Sequence, residues 1–119
     1  MPDRKSVLVI EDDRGVAEIL LDLLESSGFE VSLCHNGAAA LKFIQWKCFD
    51  VFITDYRMDG MNGADLARSL RTPCPDSLII GMSAEQRDED FLAAGADIFL
   101  KKPFCFSELV SIMSKNSSL

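Results

Sequence analysis

The chain has 119 residues, enough for one domain with a single core, and 48% of them are hydrophobic. A formal charge of −7 and a pI near 4.6 argue against a grip on nucleic-acid phosphates or on an anionic membrane surface, both of which need clustered Lys and Arg. No apolar stretch approaches the ~20 residues of a membrane span, and MPDRKSV runs into a strand pattern without a signal-peptide profile, so the expectation is one compact soluble domain over 1–119, without membrane attachment, in the cytoplasm.

The first predicted element is the apolar run VLVI (7–10) in SVLVIEDD, and it ends in three acids, Glu11, Asp12 and Asp13. Carboxylates this close oppose one another's ionisation, so the rest of the chain should supply a compensating cation or donors. Val16, Ile19, Leu20, Leu23 and Leu24 then fall on one helical face, with Gly28 as a stop just beyond it. Asp13 itself reads as the N-cap or first-turn acid of that helix. EVSLC (30–34) is a weaker strand, followed by CHNG, where His35 reads as a solvated turn residue, and by a helical segment over 37–47.

VFIT (51–54) and LIIGM (78–82) repeat the short, nearly continuous apolar pattern of parallel strands covered on both faces. Helical segments over 63–71 and 85–94 separate them from each other and from DIFL (97–100), and Ser83 with Gln86 forms an S-x-x-Q capping box for the second. Phe106, Leu109, Val110 and Met113 give a last amphipathic helix. The order is β-α repeated five times, which predicts an α/β fold: a parallel sheet with helices on both faces. Cys34, Cys48, Cys74 and Cys105 contain no C-x-x-C pair, so they suggest neither zinc nor a redox motif and are expected to be reduced thiols.

In such sheets ligands bind beyond the carboxyl ends of the strands. The polar residues there are Glu11, Asp12 and Asp13 after the first strand, Asp55 after the third, Ser83 after the fourth, and Lys101 and Lys102 after the fifth. If Glu11, Asp12 and Asp55 converge, three carboxylates make a hard-oxygen site suited to Mg²⁺, and a lysine reaching over completes the charge balance. An aspartate in that setting could act as a nucleophile toward a phosphoryl group, with Ser83 donating to a phosphoryl oxygen. Taken singly, Asp55 could merely end a strand, Phe99 could be core packing and Lys101 a solvated neighbour.

The segments VLVIEDD, VFITDYRMDGMNG, LIIGMSA and DIFLKKPF, in this order and spacing, resemble the signature segments of two-component response-regulator receiver domains over essentially the whole chain. The resemblance implies a flavodoxin-like five-stranded sheet of order 2-1-3-4-5 flanked by five helices. It implies that Asp55 is the phosphoacceptor, and that Glu11, Asp12, Asp55 and the backbone carbonyl of Arg57 hold Mg²⁺ or Mn²⁺. Ser83 and Lys102 would contact the phosphoryl group, Phe99 would be the switch aromatic, and the Lys102–Pro103 bond would be cis. The implied partners are a histidine kinase or histidine phosphotransfer protein upstream, and downstream a protein partner, an output domain or a second copy on the 85–114 face. That face carries Asp88, Glu89 and Asp90 beside Phe91 and Leu92.

The chain departs from the family pattern in several places. Met58 is followed by Asp59 and Gly60 where Met-Pro is usual, which leaves a looser loop containing Gly60 and Gly63. Arg57 and Glu85 could pair across the phosphoryl site and slow the attacking water, lengthening the phosphoryl lifetime. Phe99 lacks the hydroxyl of the tyrosine often found there. The sequence ends at SKNSSL with no output domain, as expected of a single-domain regulator or of an excised receiver.

Two rival readings compete with a phosphorylated receiver, and a third possibility is a receiver fold that signals without phosphorylation. A haloacid-dehalogenase-like phosphatase also uses an aspartate nucleophile with Mg²⁺, but it needs a second acid where Arg57 stands. A flavodoxin-like nucleotide binder needs a Gly-rich phosphate loop, and here acids follow the first strand instead.

Overall fold

The computed structural model describes residues 4–115; the last four residues of the SKNSSL tail lie outside them. The chain alternates strictly: β1 (Ser6–Ile10), α1 (Arg14–Ser26), β2 (Glu30–Cys34), α2 (Gly37–Phe43), β3 (Val51–Asp55), α3 (Gly63–Arg71), β4 (Leu78–Ser83), α4 (Asp88–Ala93), β5 (Ile98–Lys101) and α5 (Phe106–Lys115). The strands form one parallel sheet of order β2-β1-β3-β4-β5. The fold is therefore the expected flavodoxin-like arrangement, with the order reversing beside β1.

Strand parity builds the layers. Leu8, Ile10, Phe52 and Ile79 point to one face and pack with Ala40 of α2, Leu66, Ala67 and Leu70 of α3, and Phe91 of α4. Val7, Val9, Val51, Ile53, Ile80 and Met82 point to the other and meet Leu20 and Leu24 of α1 and Leu109 and Met113 of α5. Because both faces are covered, the central strands are apolar at nearly every position, which is why their sequences do not alternate.

Local chemistry sets several helix ends. Asp13 caps α1 through its side chain, accepting from Val16 N at 3.2 Å, while Asn36 and Asn62 cap α2 and α3 from Ala39 N and Asp65 N, each at 2.8 Å. Gly28 turns the chain after α1 with φ of +96°. At the end of the sheet opposite the acids, the guanidinium of Arg71 donates to the carbonyls of Gly95, Pro75 and Ser77 and to Asp97 Oδ2. The same Asp97 oxygen accepts from Ile79 N at 2.8 Å.

Five local expectations are corrected. The buried stripe of α1 is Ala17, Leu20 and Leu24, whereas Ile19 is 61% exposed and Leu23 40%, because both sit a quarter turn or more round the helix from that stripe. The Ser83–Gln86 capping box does not form: α4 starts at Asp88, its N-cap is Arg87 without a side-chain bond, and the Ser83 hydroxyl instead accepts from Glu85 N at 3.0 Å. Phe91 is no surface residue but fully buried, since Gly81 and Gly63 leave room for its ring where any Cβ would collide. His35 is half-buried, with Nδ1–H donating to the Glu11 carbonyl at 2.9 Å and Nε2 accepting from Arg14 Nη1 at 3.4 Å.

The fifth correction concerns the cysteines. Cys48 and Cys74 form a disulfide, while Cys34, buried, and Cys105, exposed, are free. The sequence separation of 26 hides that the α2–β3 and α3–β4 connections run side by side. The two connections are also joined by Ser77 Oγ donating to the Phe49 carbonyl at 2.5 Å and by Leu78 N donating to the Asp50 carbonyl at 3.0 Å.

Candidate functional site

In a parallel sheet all carboxyl ends lie on one side, so the residues that leave β1, β3, β4 and β5 meet there. Glu11 follows β1 with its amide donating to the Cys34 carbonyl at 3.0 Å, which fixes the backbone at the sheet's turning point. Asp55 ends β3 beside Met82, and Ser83 ends β4 beside Lys101. Lys102 N donates to the Ser83 carbonyl at 2.8 Å, and the next peptide bond, Lys102–Pro103, is cis.

This convergence brings one carboxylate oxygen each from Glu11, Asp12 and Asp55 within 4.8 Å of one another. Lys102 Nζ lies 3.1 Å from Asp55 Oδ1 and 3.4 Å from Glu11 Oε1. The Glu11 side chain is only 2% exposed, and that of Asp55 13%. Burial raises the Glu11 pKa, as does the charge of Asp55, and the Asp13 amide and Lys102 only partly offset them. Burial by itself would lower the Lys102 pKa, but its hydrogen bond to Asp55 and the charges of Asp55 and Glu11 prevail and leave it raised. One lysine thus faces three acids, of which only Glu11 is buried, and the cluster keeps an excess of negative charge. That donor set, all hard oxygens with excess negative charge, fits a divalent ion of the Mg²⁺ type.

A cleft lined by Asp55, Arg57, Ser83, Ala84, Glu85 and Lys102 opens beside the acids. Arg57 closes one side of it through a two-pronged ion pair to Glu85, with Nε to Oε1 at 2.9 Å and Nη2 to Oε2 at 2.8 Å. Lys101 is exposed, and Asp13 serves the helix cap. Phe99 is half-buried in β5, its ring 5.9 Å from that of Phe91.

Sequence reasoning passed over Arg87 and Tyr56. The Arg87 guanidinium carbon stands 4.3 Å above the centre of the Tyr56 ring, with Nη2 3.4 Å from Glu85 Oε1 and Nη1 3.2 Å from Asp90 Oδ2. Tyr56 in turn meets the Phe91 ring edge-on at 5.8 Å. Nothing in the sequence pattern announces such a stack, because it joins β3's exit to the start of α4. Gly63, the first residue of α3, is held against the site: its amide donates to the Tyr56 carbonyl at 2.8 Å, and a Cβ there would overlap the Asp55 carbonyl oxygen.

Comparison with known proteins agrees with this geometry. A family model described as the response regulator receiver domain matches residues 7–114. The response regulator MprA of Mycobacterium ulcerans is 36% identical over 110 residues, which cover 90% of this chain and 47% of that protein. MprA of Mycobacterium avium is likewise 36% identical, over 90% of this chain and 48% of its own length. The chain spans about half the length of these curated relatives. Among solved structures, the chemotaxis response regulator CheY4 of Vibrio cholerae superposes with a TM-score of 0.88 at 25% identity, covering 96% of this chain and 99% of that one. The response regulator TrrA of Thermotoga maritima, solved in complex with Mg(2+)-BeF, gives 0.86 at 31% identity, over 94% and 98%. Among the described residues, no helix is long and apolar enough to cross a membrane. A sheet that gathers Glu11, Asp12, Asp55, Ser83 and Lys102 at one edge, together with a family match over nearly its full length, sets aside the phosphatase and nucleotide-binding readings: the chain belongs to the response regulator receiver domains of two-component systems.

Proposed function

We propose that Asp55 accepts a phosphoryl group from a histidine kinase or histidine phosphotransfer protein in a Mg²⁺- or Mn²⁺-dependent reaction. The observation that carries this reading is the meeting of Glu11, Asp12 and Asp55 with Lys102 bridging two of them. Glu11, Asp12, Asp55 and the Arg57 carbonyl would hold the ion, which when bound supplies positive charge against the phosphoryl oxygens.

The chain's own groups do the rest. A carboxylate oxygen of Asp55 attacks phosphorus as the P–N bond to the donor imidazole breaks, and the imidazole leaves with the electron pair. Lys102, already 3.1 Å from Asp55, shifts from the carboxylate to a phosphoryl oxygen. Ser83 sits at the cleft wall and donates its hydroxyl to another, giving up its bond from the Glu85 amide. Arg57 and Glu85, paired at one side of the cleft, restrict the water that later hydrolyses the acyl phosphate.

Phosphorylation adds roughly −1.5 to −2 charge and three acceptor oxygens. Drawing Ser83 inward moves the loop that leads to α4, and Phe99, in contact with Phe91 of that helix, follows. The 85–114 face then changes its fit for a downstream protein, an output domain or a second copy. Incubation with acetyl phosphate and Mg²⁺, read by intact mass, is expected to add one phosphoryl group to the native chain and none to Asp55→Asn. Modification of Asp55→Asn to the same extent, or no modification of the native chain, would overturn the reading.

A further inference from the structure

The Cys48–Cys74 bond lies at the end of the sheet remote from the acids and takes no part in the function proposed above. Its two cysteines differ sharply in exposure: Cys48 is exposed, whereas Cys74 is 2% exposed. A nucleophile from solvent therefore meets Cys48 first. The connections it joins do not depend on it for their register, because Ser77 Oγ and Leu78 N bond across the same gap to Phe49 and Asp50. The Cys74 amide is held by the Leu70 carbonyl at 2.9 Å, which keeps that sulfur seated against the core. Cys48 Sγ lies 3.3 Å from the Pro73 carbonyl oxygen, so a reduced Cys48 thiol already has an acceptor.

We propose that this pair is a reversible thiol–disulfide exchange site for low-molecular-weight thiols, entered at Cys48, with Cys74 as the buried resolving thiol. A thiolate RS⁻ attacks Cys48 Sγ, the Sγ–Sγ bond breaks, and Cys74 leaves as a thiolate that takes a proton from solvent. The mixed disulfide at Cys48 is resolved either by Cys74, which restores the bond and expels RS⁻, or by a second thiolate. The second route attacks the outer sulfur, releases the Cys48 thiolate and gives RSSR, so two external thiols are oxidised as the protein disulfide gains two electrons. Reduction loosens the segment that carries Trp46, the chain's one tryptophan, which is 89% exposed and two residues from Cys48. That segment, with Phe43 and Lys42, forms an apolar surface with basic edges beside α2. The thiol state therefore sets how firmly this surface is presented.

The test uses the native full chain, air-oxidised and then equilibrated with glutathione, with N-ethylmaleimide labelling in the absence of denaturant and peptide mapping by mass. Before reduction, Cys105 labels and Cys48 and Cys74 do not; Cys34 stays unlabelled, since burial pushes its thiol up to about 11. With reduced glutathione, Cys48 gains a label well before Cys74, Trp46 emission shifts, and oxidised glutathione reverses both changes while circular dichroism stays native. A Cys74→Ser variant is expected to trap glutathione at Cys48. Three results would each overturn the proposal: a bond that yields to reductant only in denaturant, two free thiols that oxidised glutathione never joins, or loss of native circular dichroism when the bond is cut.

Discussion

Arg57 and Glu85, 28 residues apart in sequence, form a two-pronged ion pair in the wall of the Asp55 cleft, with both contacts below 3 Å. The pair is exposed, so it contributes little to folding, and its effect falls on what can approach Asp55. Arg57→Ala and Glu85→Ala are each expected to leave the melting temperature nearly unchanged and to speed loss of the phosphoryl group a few-fold. Phosphate release after removal of acetyl phosphate measures this, and equal rates in the three proteins would refute the role.

Glu11 carries a cost. Its pKa is raised by burial and by Asp55, so the folded state disfavours the ionised form relative to the unfolded chain. The sign follows from linkage: its contribution is fully present below the ordinary glutamate value of 4.5 and is lost as pH rises through the higher folded value. Glu11→Gln should therefore melt higher than the native protein at neutral pH without divalent ions, and should lose the stabilisation that Mg²⁺ gives the native chain. Thermal scans with and without Mg²⁺ check both. A variant that melts lower, or one that Mg²⁺ still stabilises, contradicts the charge-crowding argument.

Two glycines let α3 and α4 come close to the site. A Cβ on Gly81 would collide with the Phe91 ring, and one on Gly63 with the Asp55 carbonyl oxygen. Both obstacles are buried, one of them backbone, so neither can swing aside. Gly81→Ala and Gly63→Ala are expected to cost about 1–3 kcal/mol in urea denaturation, the usual penalty of overpacking. Gly63→Ala should in addition reduce the extent of phosphorylation, because it pushes on the main chain of Asp55. Wild-type midpoints in both variants would show that the surrounding chain has more slack than these contacts imply.

Replacing Cys48 and Cys74 together by serine tests the stabilising side of the disulfide. Closing a loop over a sequence separation of 26 restricts the unfolded chain by about 3.5 kcal/mol in the chain-entropy model. Urea denaturation of the double variant should show a loss of that order or smaller, with a native circular dichroism spectrum before the transition, since the Ser77 and Leu78 cross-links remain. A fully unfolded variant would mean that those hydrogen bonds do not hold the two connections by themselves.

The sheet was legible because its strands are covered on both faces: VLVI, VFIT and LIIGM can hardly be anything but buried, and the β-α alternation then leaves few topologies. The acids, the hydroxyl and the lysine were legible for the same reason, since parallel strands put their ends at one edge. What the sequence withheld depends on side-by-side packing of segments far apart in the chain. Cys48 finds Cys74, Arg87 finds Tyr56, and Phe91 finds a notch between Gly63 and Gly81, none of which leaves a periodic trace. Ile19 and Leu23 misled in the opposite way, because hydrophobic spacing marks a helical face but not how wide a stripe the sheet will cover.

Arg71 gives the molecule a fixed pole. Its single side chain gathers carbonyls from the segments before β4 and β5 and a carboxylate that also holds the Ile79 amide of β4. A tug at the opposite rim cannot simply slide those two strands lengthwise. The five bonds at that clasp would have to break first.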